Sequence, residues 1–184
     1  MAVLQEEDEN FIEKTKAELR QQRRQNLGQL ELGRYTPMVG RCMDESARCY
    51  IYESFVASVV MSSLAVETGL RHLIREKKFK LRQDVDRMDS VQLIDWAYHL
   101  DLLDDEQLEN ANRLRGRRNY LLHFRSFERI VKKEATMRRL KLDEPDEKAK
   151  SQILFSFGIE HIALESYKLA GSVLSHLFPV KSAP

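Results

Sequence analysis

The chain has 184 residues, 42% hydrophobic and 32% charged, which is enough for one domain with a sizeable core and an extension. Thirty Lys and Arg against 29 Asp and Glu give a net charge of +1, which excludes an overall positive field for binding nucleic acid or membranes. Any RNA-binding site must therefore be local.

Turn-forming residues are scarce. With seven Gly and four Pro, sheets joined by hairpins are hard to place, and an all-α fold is predicted. The opening MAVLQEEDEN lacks the apolar core of a secretory signal, and no run approaches the ~18 apolar residues of a membrane span. We therefore expect a cytoplasmic protein that does not associate with membranes.

The cysteines and histidines indicate neither a disulfide nor a metal site. Cys42 and Cys49 lie on one predicted helix, too far apart along its axis to be bridged. The five histidines are scattered, and no pair has metal-ligand spacing. We expect reduced thiols, no metal and no cofactor.

The N-terminal region is predicted to be a helical arm. Residues 2–26 form a highly charged helical pattern with few apolar positions, and the segment GQLELGRYTP that follows is typical of a linker. From about Met43 to Lys78 the sequence predicts one long helix, apolar nearly all round, as expected for the central helix of a bundle. The predicted domains are an arm and linker over 1–40, a bundle over 41–178 and a tail over 179–184.

Further helices complete the predicted all-α bundle, which has about five helices in addition to the arm. Asp89 or Ser90 caps a short helix, and the acidic segment DLLDDEQ begins the next one. A charged segment broken at Pro145 follows, and a last helix is predicted from about Ile153 to Leu177. The residues expected mainly in the core are Val56, Val59, Val60, Leu64, Ile94, Trp96, Leu114, Leu121, Leu122, Phe157, Ile162 and Leu169.

Arg118 falls inside the apolar stripe of the helix that follows DLLDDEQ. On a helical wheel its neighbours in that stripe are Ala111, Leu114, Leu121 and Leu122. Burying a guanidinium without a partner is costly, so this position requires a carboxylate, a phosphate or a solvent-filled cleft. Two interpretations stay open: a buried ion pair, with Glu67 on the central helix as the available partner, or a functional arginine.

A second face of the same helix is polar or small throughout. It comprises Asn112, Gly116, Asn119 and His123. Glycine inside a helix costs about 0.5–1 kcal/mol relative to alanine, and one reason to retain it is the close approach of another backbone. We interpret this face as meeting a second copy of the helix across a two-fold axis. The alternative is that Gly116 marks an irregularity or break in the helix.

The segment RNYLLH, which contains Arg118, Asn119 and His123, resembles the motif of the HEPN family, in which Arg and a polar residue after it precede a His. Its context, SVQLIDWAYHLDLLDDEQLENANRLRGRRNYLLH, is similar to the corresponding helices of prokaryotic HEPN domains. The resemblance covers roughly 45–178 and leaves the arm as an addition. A short motif of this kind is common by chance, so its specificity comes from that context.

The resemblance implies a homodimer that cleaves RNA without a metal, with the RNA 2′-hydroxyl as nucleophile. By position, Arg118 is then the phosphate clamp, His123 the acid/base and Asn119 the orienting residue. HEPN toxins paired with nucleotidyltransferase antitoxins have a tyrosine two residues after the His. This chain has Arg125 there, so that form of control is not implied. RNA, a second copy and a regulatory or antitoxin protein are the expected partners of a toxin or antiviral-defence ribonuclease.

Basic residues near the motif have two interpretations. Arg113, Arg115, Arg117 and Arg125 can form a local RNA-binding patch, or a solvated face offset by the acidic residues at 104–106.

Two other classes of function also stay open. A non-catalytic HEPN-like module would bind a nucleotide or RNA, or dimerise a larger assembly. A helical adaptor would use the arm over 1–26 to bind partner helices, and would leave Arg118 as a structural ion pair. The direction of the His123 imidazole distinguishes the adaptor from the enzyme.

Overall fold

A computed structural model gives the fold. It describes residues 2–77, 85–122 and 147–180, with side chains over 12–77, 85–122 and 158–180. Over these residues the chain is all-helical and has no strand, so the predicted fold class is confirmed. No described helix is long and apolar enough to cross a membrane. In chain order the helices are α1 (Ala2–Leu27), α2 (Pro37–Ile51), α3 (Phe55–Lys77), α4 (Ser90–His99), α5 (Asp105–Leu122) and α6 (Glu147–Leu177).

The linker after α1 is held against the end of α6. The Gly33 N–H donates to the Phe178 carbonyl at 2.7 Å. A Cβ at residue 33 would overlap the carbonyl of Pro179, so this close approach requires glycine. The base of the arm is therefore attached to the bundle by backbone contact.

The single long helix predicted from Met43 to Lys78 is wrong, because the structure divides this region into α2 and α3. Helix α2 also begins earlier than predicted. Thr36 is its N-cap and accepts a hydrogen bond from the Val39 N–H, while Pro37 occupies the first turn. The Thr-Pro pair at the end of the predicted linker is thus a helix start.

The turn between α2 and α3 has the geometry of a Schellman motif. Glu53 takes the left-handed conformation, with φ of 67°, and its N–H donates to the Tyr50 carbonyl at 3.3 Å. The Ser54 N–H donates to the Cys49 carbonyl at 2.7 Å. Glycine normally occupies the position of Glu53. The turn between α2 and α3 therefore contains no glycine or proline from which the sequence could predict it.

Both helices next to the predicted site begin at aspartate caps. At α4, Asp89 accepts from the Gln92 N–H at 2.9 Å, and the Gln92 side chain accepts from the Asp89 N–H at 3.0 Å. At α5, Asp104 accepts from the Gln107 N–H at 2.8 Å. Because Asp89 is the cap, the hydroxyl of Ser90 is free for another contact.

Helix α3 is the central helix, as predicted, and packs against α2, α4, α5 and α6. Its contact with α2 includes a buried hydroxyl cluster. Ser46 Oγ donates to the Ser58 carbonyl at 2.9 Å and lies 2.7 Å from Ser62 Oγ. Since these buried groups are hydrogen-bonded, small polar residues permit close helix packing without an unsatisfied donor.

The core predictions are confirmed in part. Val59, Ile94, Leu114, Leu121 and Ile162 are buried, and Val60 and Leu169 are half-buried. Val56, Leu64, Trp96 and Leu122 are exposed, so their prediction as core residues is wrong. The apolar pattern of α3 runs nearly all round the helix, whereas its described neighbours cover only part of its circumference. The side chain of Phe157 lies outside the described part.

Candidate functional site

Arg118 joins three helices at one point. From α5, its Nη1 forms an ion pair with Glu67 Oε1 of α3, and its Nη2 donates to Ser90 Oγ of α4 at 2.7 Å. Ser90 Oγ donates to Glu67 Oε1 at 2.6 Å, which closes the Arg118 cluster (Arg118, Glu67 and Ser90). The ion pair with Glu67, one of the two interpretations of the sequence, is confirmed.

Helix packing brings this cluster together. Leu121 of α5 packs in one apolar cluster with Val59 of α3, while Arg118 reaches Glu67 further along α3. The two helices therefore run antiparallel where they touch. The Asp89 cap then sets the start of α4 so that Ser90 reaches Glu67.

The Arg118 cluster is mostly shielded from water. The exposed fractions of the side chains are 20% for Arg118 and 15% for Glu67. Arg118 Nε is buried and has no hydrogen-bond partner in the described part of the chain. The Arg118 guanidinium has more N–H donors than its two oxygen partners accept, so some of these donors have no acceptor in the described part of the chain.

Asn119, the predicted orienting residue, lies beside the guanidinium. Its side chain is half-buried, and Oδ1 is 3.4 Å from Arg118 Nη2. His123 and Arg125 lie outside the described residues, so their predicted roles are untested. Helix α5 is described up to Leu122, whose 55% exposed side chain directly precedes the histidine in sequence.

Two other arginines of α5 are less exposed than a fully solvated face requires. Arg115 and Arg117 are half-buried, and Arg115 Nε is another buried donor without a hydrogen-bond partner among the described residues. Two of the three acidic residues expected to offset these charges have bonds elsewhere. Asp104 caps α5, and Asp105 accepts from the Tyr98 hydroxyl at 2.8 Å.

Comparison with known proteins gives no match. No protein-family model, curated protein or solved structure matches this chain. The resemblance of RNYLLH to the HEPN motif therefore stays a prediction, and the contacts of the residues carry the functional proposal. Among the described residues, no group of three or more His, Cys, Asp or Glu is arranged to hold a metal ion.

The polar face of α5 is continuous and open. The helix runs without interruption from Asp105 to Leu122, so the alternative of a break at Gly116 is wrong. A Cβ at Gly116 would meet no described atom within 4 Å apart from the nearby backbone of its own helix, and Asn112 and Asn119 on the same face are half-buried. The face has room for another backbone, and its pairing with a second copy stays a prediction.

A second arginine cluster, which no pattern in the sequence predicts, lies at the base of the arm. Arg23 of α1 donates from Nε to Glu160 Oε1 at 2.9 Å and from Nη1 to Glu53 Oε1 at 2.8 Å. Its guanidinium carbon lies 5.4 Å from the centroid of the Phe55 ring. Burial by itself would lower the pKa of Arg23, but hydrogen bonds to both carboxylates outweigh it and raise that pKa. We call Arg23, Glu53 and Glu160 the Arg23 cluster.

No local sequence pattern predicts the Arg23 cluster, because its three residues are far apart along the chain. Arg23 belongs to a charged helix, Glu53 to an unmarked turn and Glu160 to the last helix. Beside the cluster lies a cavity of about 1010 Å³. Its lining is mostly apolar and includes Leu19, Phe55, Val56, Val60, Met61 and Ile159.

Proposed function

We propose that the chain is a metal-independent endoribonuclease of the HEPN type, a cytoplasmic toxin or antiviral-defence effector that acts as a homodimer. The observation that carries the proposal is the Arg118 cluster. It fixes the arginine of the RNYLLH segment through Glu67 and Ser90 and leaves its Nε donor unpaired in the described part. Arginine in a fixed pose binds a phosphate with both charge and directed hydrogen bonds.

The proposed reaction uses few groups. Arg118 and the adjacent Asn119 amide hold the scissile phosphate, and the imidazole of His123 accepts the proton of the 2′-hydroxyl. The 2′-oxygen attacks phosphorus, the bond from phosphorus to the 5′-oxygen breaks, and the imidazolium returns the proton to that oxygen. The products are a 2′,3′-cyclic phosphate and a 5′-hydroxyl. Histidine suits both steps because it exchanges protons near neutral pH.

Local charge also supports an RNA site. Glu67 neutralises Arg118 within the cluster, so attraction for the RNA backbone must come from elsewhere. Arg113, Arg115 and Arg117 of α5 are close in sequence to Arg118, and the unpaired Arg115 Nε in the described part adds donor capacity. This clustering supplies the local patch that a chain of net charge +1 needs.

A non-catalytic RNA-binding module is the second candidate function. It is favoured by the fact that both terminal nitrogens of Arg118 already have oxygen partners, Glu67 and Ser90. Such an arginine needs no phosphate to be stable in its present position. The module and the enzyme share the same fold, so only an activity measurement separates them.

The test is incubation of the purified chain with total RNA in EDTA. His99, exposed on α4, gives a matched control for His123. We expect the wild type and His99→Ala to produce cyclic phosphate ends. Cleavage by His123→Ala should fall by a factor of about 10² or more, because general acid–base catalysis contributes that much. Its melting temperature and RNA affinity should change little, since proton transfer acts on the transition state.

The other outcomes are equally specific. RNA binding without cleavage by the wild type supports the non-catalytic module. Full cleavage by His123→Ala, loss of cleavage in EDTA, or unfolding caused by His123→Ala contradicts the proposed mechanism.

A further inference from the structure

The cavity of about 1010 Å³ beside the Arg23 cluster opens between α1, α3 and α6. Leu19 of α1, Val56 and Val60 of α3 and Ile159 of α6 supply apolar walls. Leu19 and Val56 are each 40% exposed, so the opening leaves apolar surface in contact with water. Concave, mostly apolar cavities of about 300–1,000 Å³ are typical of small-molecule sites.

The charged residues of the described lining lie together at one place. Arg23, Glu53 and Glu160 all line the cavity, and they are bonded to one another in the Arg23 cluster. Phe55 lines the same part, since its ring centroid is 5.4 Å from the Arg23 guanidinium carbon. The cavity therefore has apolar walls and one charged end.

The charged end is negative, because two carboxylates are paired with one guanidinium. The guanidinium is also the less accessible group: 10% of the Arg23 side chain is exposed, against 58% for Glu53 and 28% for Glu160. Arg20, three residues earlier on α1, lies 5.1 Å from the centroid of the Tyr52 ring and is not part of the described lining. A ligand in the cavity would therefore meet the carboxylates before the guanidinium.

The two carboxylates keep acceptor capacity for a ligand. Arg23 bonds each of them at Oε1, and the Tyr50 hydroxyl also approaches Glu160 at Oε1, at 3.4 Å. A carboxylate accepts hydrogen bonds at both oxygens, so these contacts leave Oε2 of Glu53 and of Glu160 as acceptors. Arg23 offers less, because its Nε and Nη1 are already bonded.

We propose that this cavity binds a small molecule with an apolar body and a protonated amine, whose ammonium group is held by Glu53 and Glu160. An ammonium group carries only donors and a positive charge, and an aromatic ring such as Phe55 adds a favourable surface for it. An anionic head group of the same size would meet excess negative charge. The site does not rest on the proposed ribonuclease function, because its described lining includes no residue of the Arg118 cluster.

The experiment compares three probes that share one tail and differ in the charge of the head group: octylammonium, octanol and octanoate. Titration calorimetry of the full-length chain at about pH 7, where alkylamines are protonated, measures the Kd and the stoichiometry of each. We expect octylammonium to bind once per chain and at least about fivefold more tightly than octanol, because only its head group forms an ion pair. Octanoate should bind more weakly than octanol. Added salt should weaken the binding of octylammonium alone.

Variants locate the binding in the cavity. Glu53→Gln and Glu160→Gln, separately and together, keep an oxygen for Arg23 and remove negative charge, so the Kd of octylammonium should rise severalfold while that of octanol stays the same. Glu109→Gln, at an exposed carboxylate of α5, is the matched control. Val56→Lys adds a competing ammonium group at an exposed position of the wall and should raise the Kd of octylammonium at least about fivefold. Circular dichroism checks that each variant is folded.

Four results would overturn the proposal. The first is the absence of saturable octylammonium binding up to about 1 mM, a weak limit for a ligand of this size. The second is octanoate binding as tightly as octylammonium. The third is octanol binding as tightly as octylammonium, which would indicate an apolar cavity without a cation site. The fourth is an unchanged Kd of octylammonium in folded Val56→Lys and in the folded glutamine variants, which would place the binding elsewhere on the chain.

Discussion

Arg23 and Arg118 both hold distant parts of the chain together, but their surroundings differ. Arg23 has 10% of its side chain exposed and bonds two carboxylates, Glu53 and Glu160. Arg118 has 20% exposed and bonds one carboxylate, Glu67, and one hydroxyl, Ser90. The first cluster carries an excess of negative charge, whereas the second is balanced.

The surroundings of the two part-buried arginines indicate which one is a candidate ligand site. Two carboxylates and the face of Phe55 account for the position of Arg23. Arg118 lies among other arginines of α5 and has an unpaired Nε in the described part of the chain. Burial alone does not distinguish a structural arginine from a functional one. The number of carboxylates bonded to the guanidinium is more informative, because an arginine that bonds two carboxylates has little capacity left for a ligand.

The largest effect on stability is expected at Arg23. Arg23→Ala leaves Glu160 part-buried without its cation and removes one of the contacts between the arm and the bundle. We expect the free energy of unfolding to fall by about 2–4 kcal/mol, somewhat less than for a fully buried pair because Glu53 is exposed. Urea titration of this variant beside Arg24→Ala, an exposed neighbour, measures the effect. Equal losses in the two variants would show that the cluster contributes nothing specific.

A smaller loss is expected at Arg118, together with loss of activity. Arg118→Ala removes one member of a balanced network, so the free energy of unfolding should fall by about 1–3 kcal/mol. Under the proposed function, RNA cleavage should also be lost, because Arg118 is the proposed phosphate clamp.

A double-mutant cycle of Arg118→Ala with Glu67→Ala measures their coupling free energy. The exposed Arg113→Ala is the control. If the stability losses of the two single variants sum to the loss of the double variant within about 0.5 kcal/mol, the ion pair does not stabilise the protein significantly in solution.

Ser90 should have a more modest role. Its hydroxyl accepts from Arg118 and donates to Glu67, so Ser90→Ala removes both hydrogen bonds and leaves the ion pair intact. We expect a loss of about 1 kcal/mol and a partial fall in cleavage, because the guanidinium is less firmly positioned. The matched variant is Ser54→Ala, an exposed serine in the turn at the other cluster. No difference between the two serine variants would exclude a positioning role for Ser90.

The fold was predictable where helix signals are local. The scarcity of Gly and Pro predicts an all-α class, and the Asp89 cap is visible in the sequence. The division of α2 from α3 was not predictable, because Glu53 adopts a conformation that usually requires glycine. Val56, Leu64 and Leu122 were placed in the core because helical periodicity shows which face is apolar but not whether another element covers it.

The candidate site was predictable only in part. Arg118 within an apolar stripe required a partner, and Glu67 was the carboxylate available on the central helix. The sequence indicates Ser90 only as an alternative cap and does not predict its contact with both charges. The Arg23 cluster depends on long-range packing that no local pattern records.

The smallest effect concerns the thiols of α2, of which Cys49 can report on the Arg23 cluster and Cys42 serves as the reference. Burial raises the pKa of Cys42, and burial together with the charge of Glu45 raises the pKa of Cys49. Both thiols therefore contain less reactive thiolate near neutral pH than free cysteine, and alkylation should accelerate as pH rises from about 7 to about 8.5. Cys49 should react faster because Cys42 is buried and Cys49 only half-buried.

The alkylation rates of the two thiols, followed by intact mass spectrometry in the Arg23 and Arg118 variants, test whether the two clusters open independently. The Cys49 carbonyl accepts the Ser54 N–H in the turn that carries Glu53, so the backbone of Cys49 is tied to the turn of the Arg23 cluster. Arg23→Ala should loosen the turn and raise the Cys49 rate severalfold without changing that of Cys42, as expected for local opening. Arg118→Ala should leave the Cys49 rate unchanged. If both arginine variants raise the alkylation rates of both thiols equally, the two clusters open together with the whole bundle. The Arg23 cluster is then not a separate attachment of the arm.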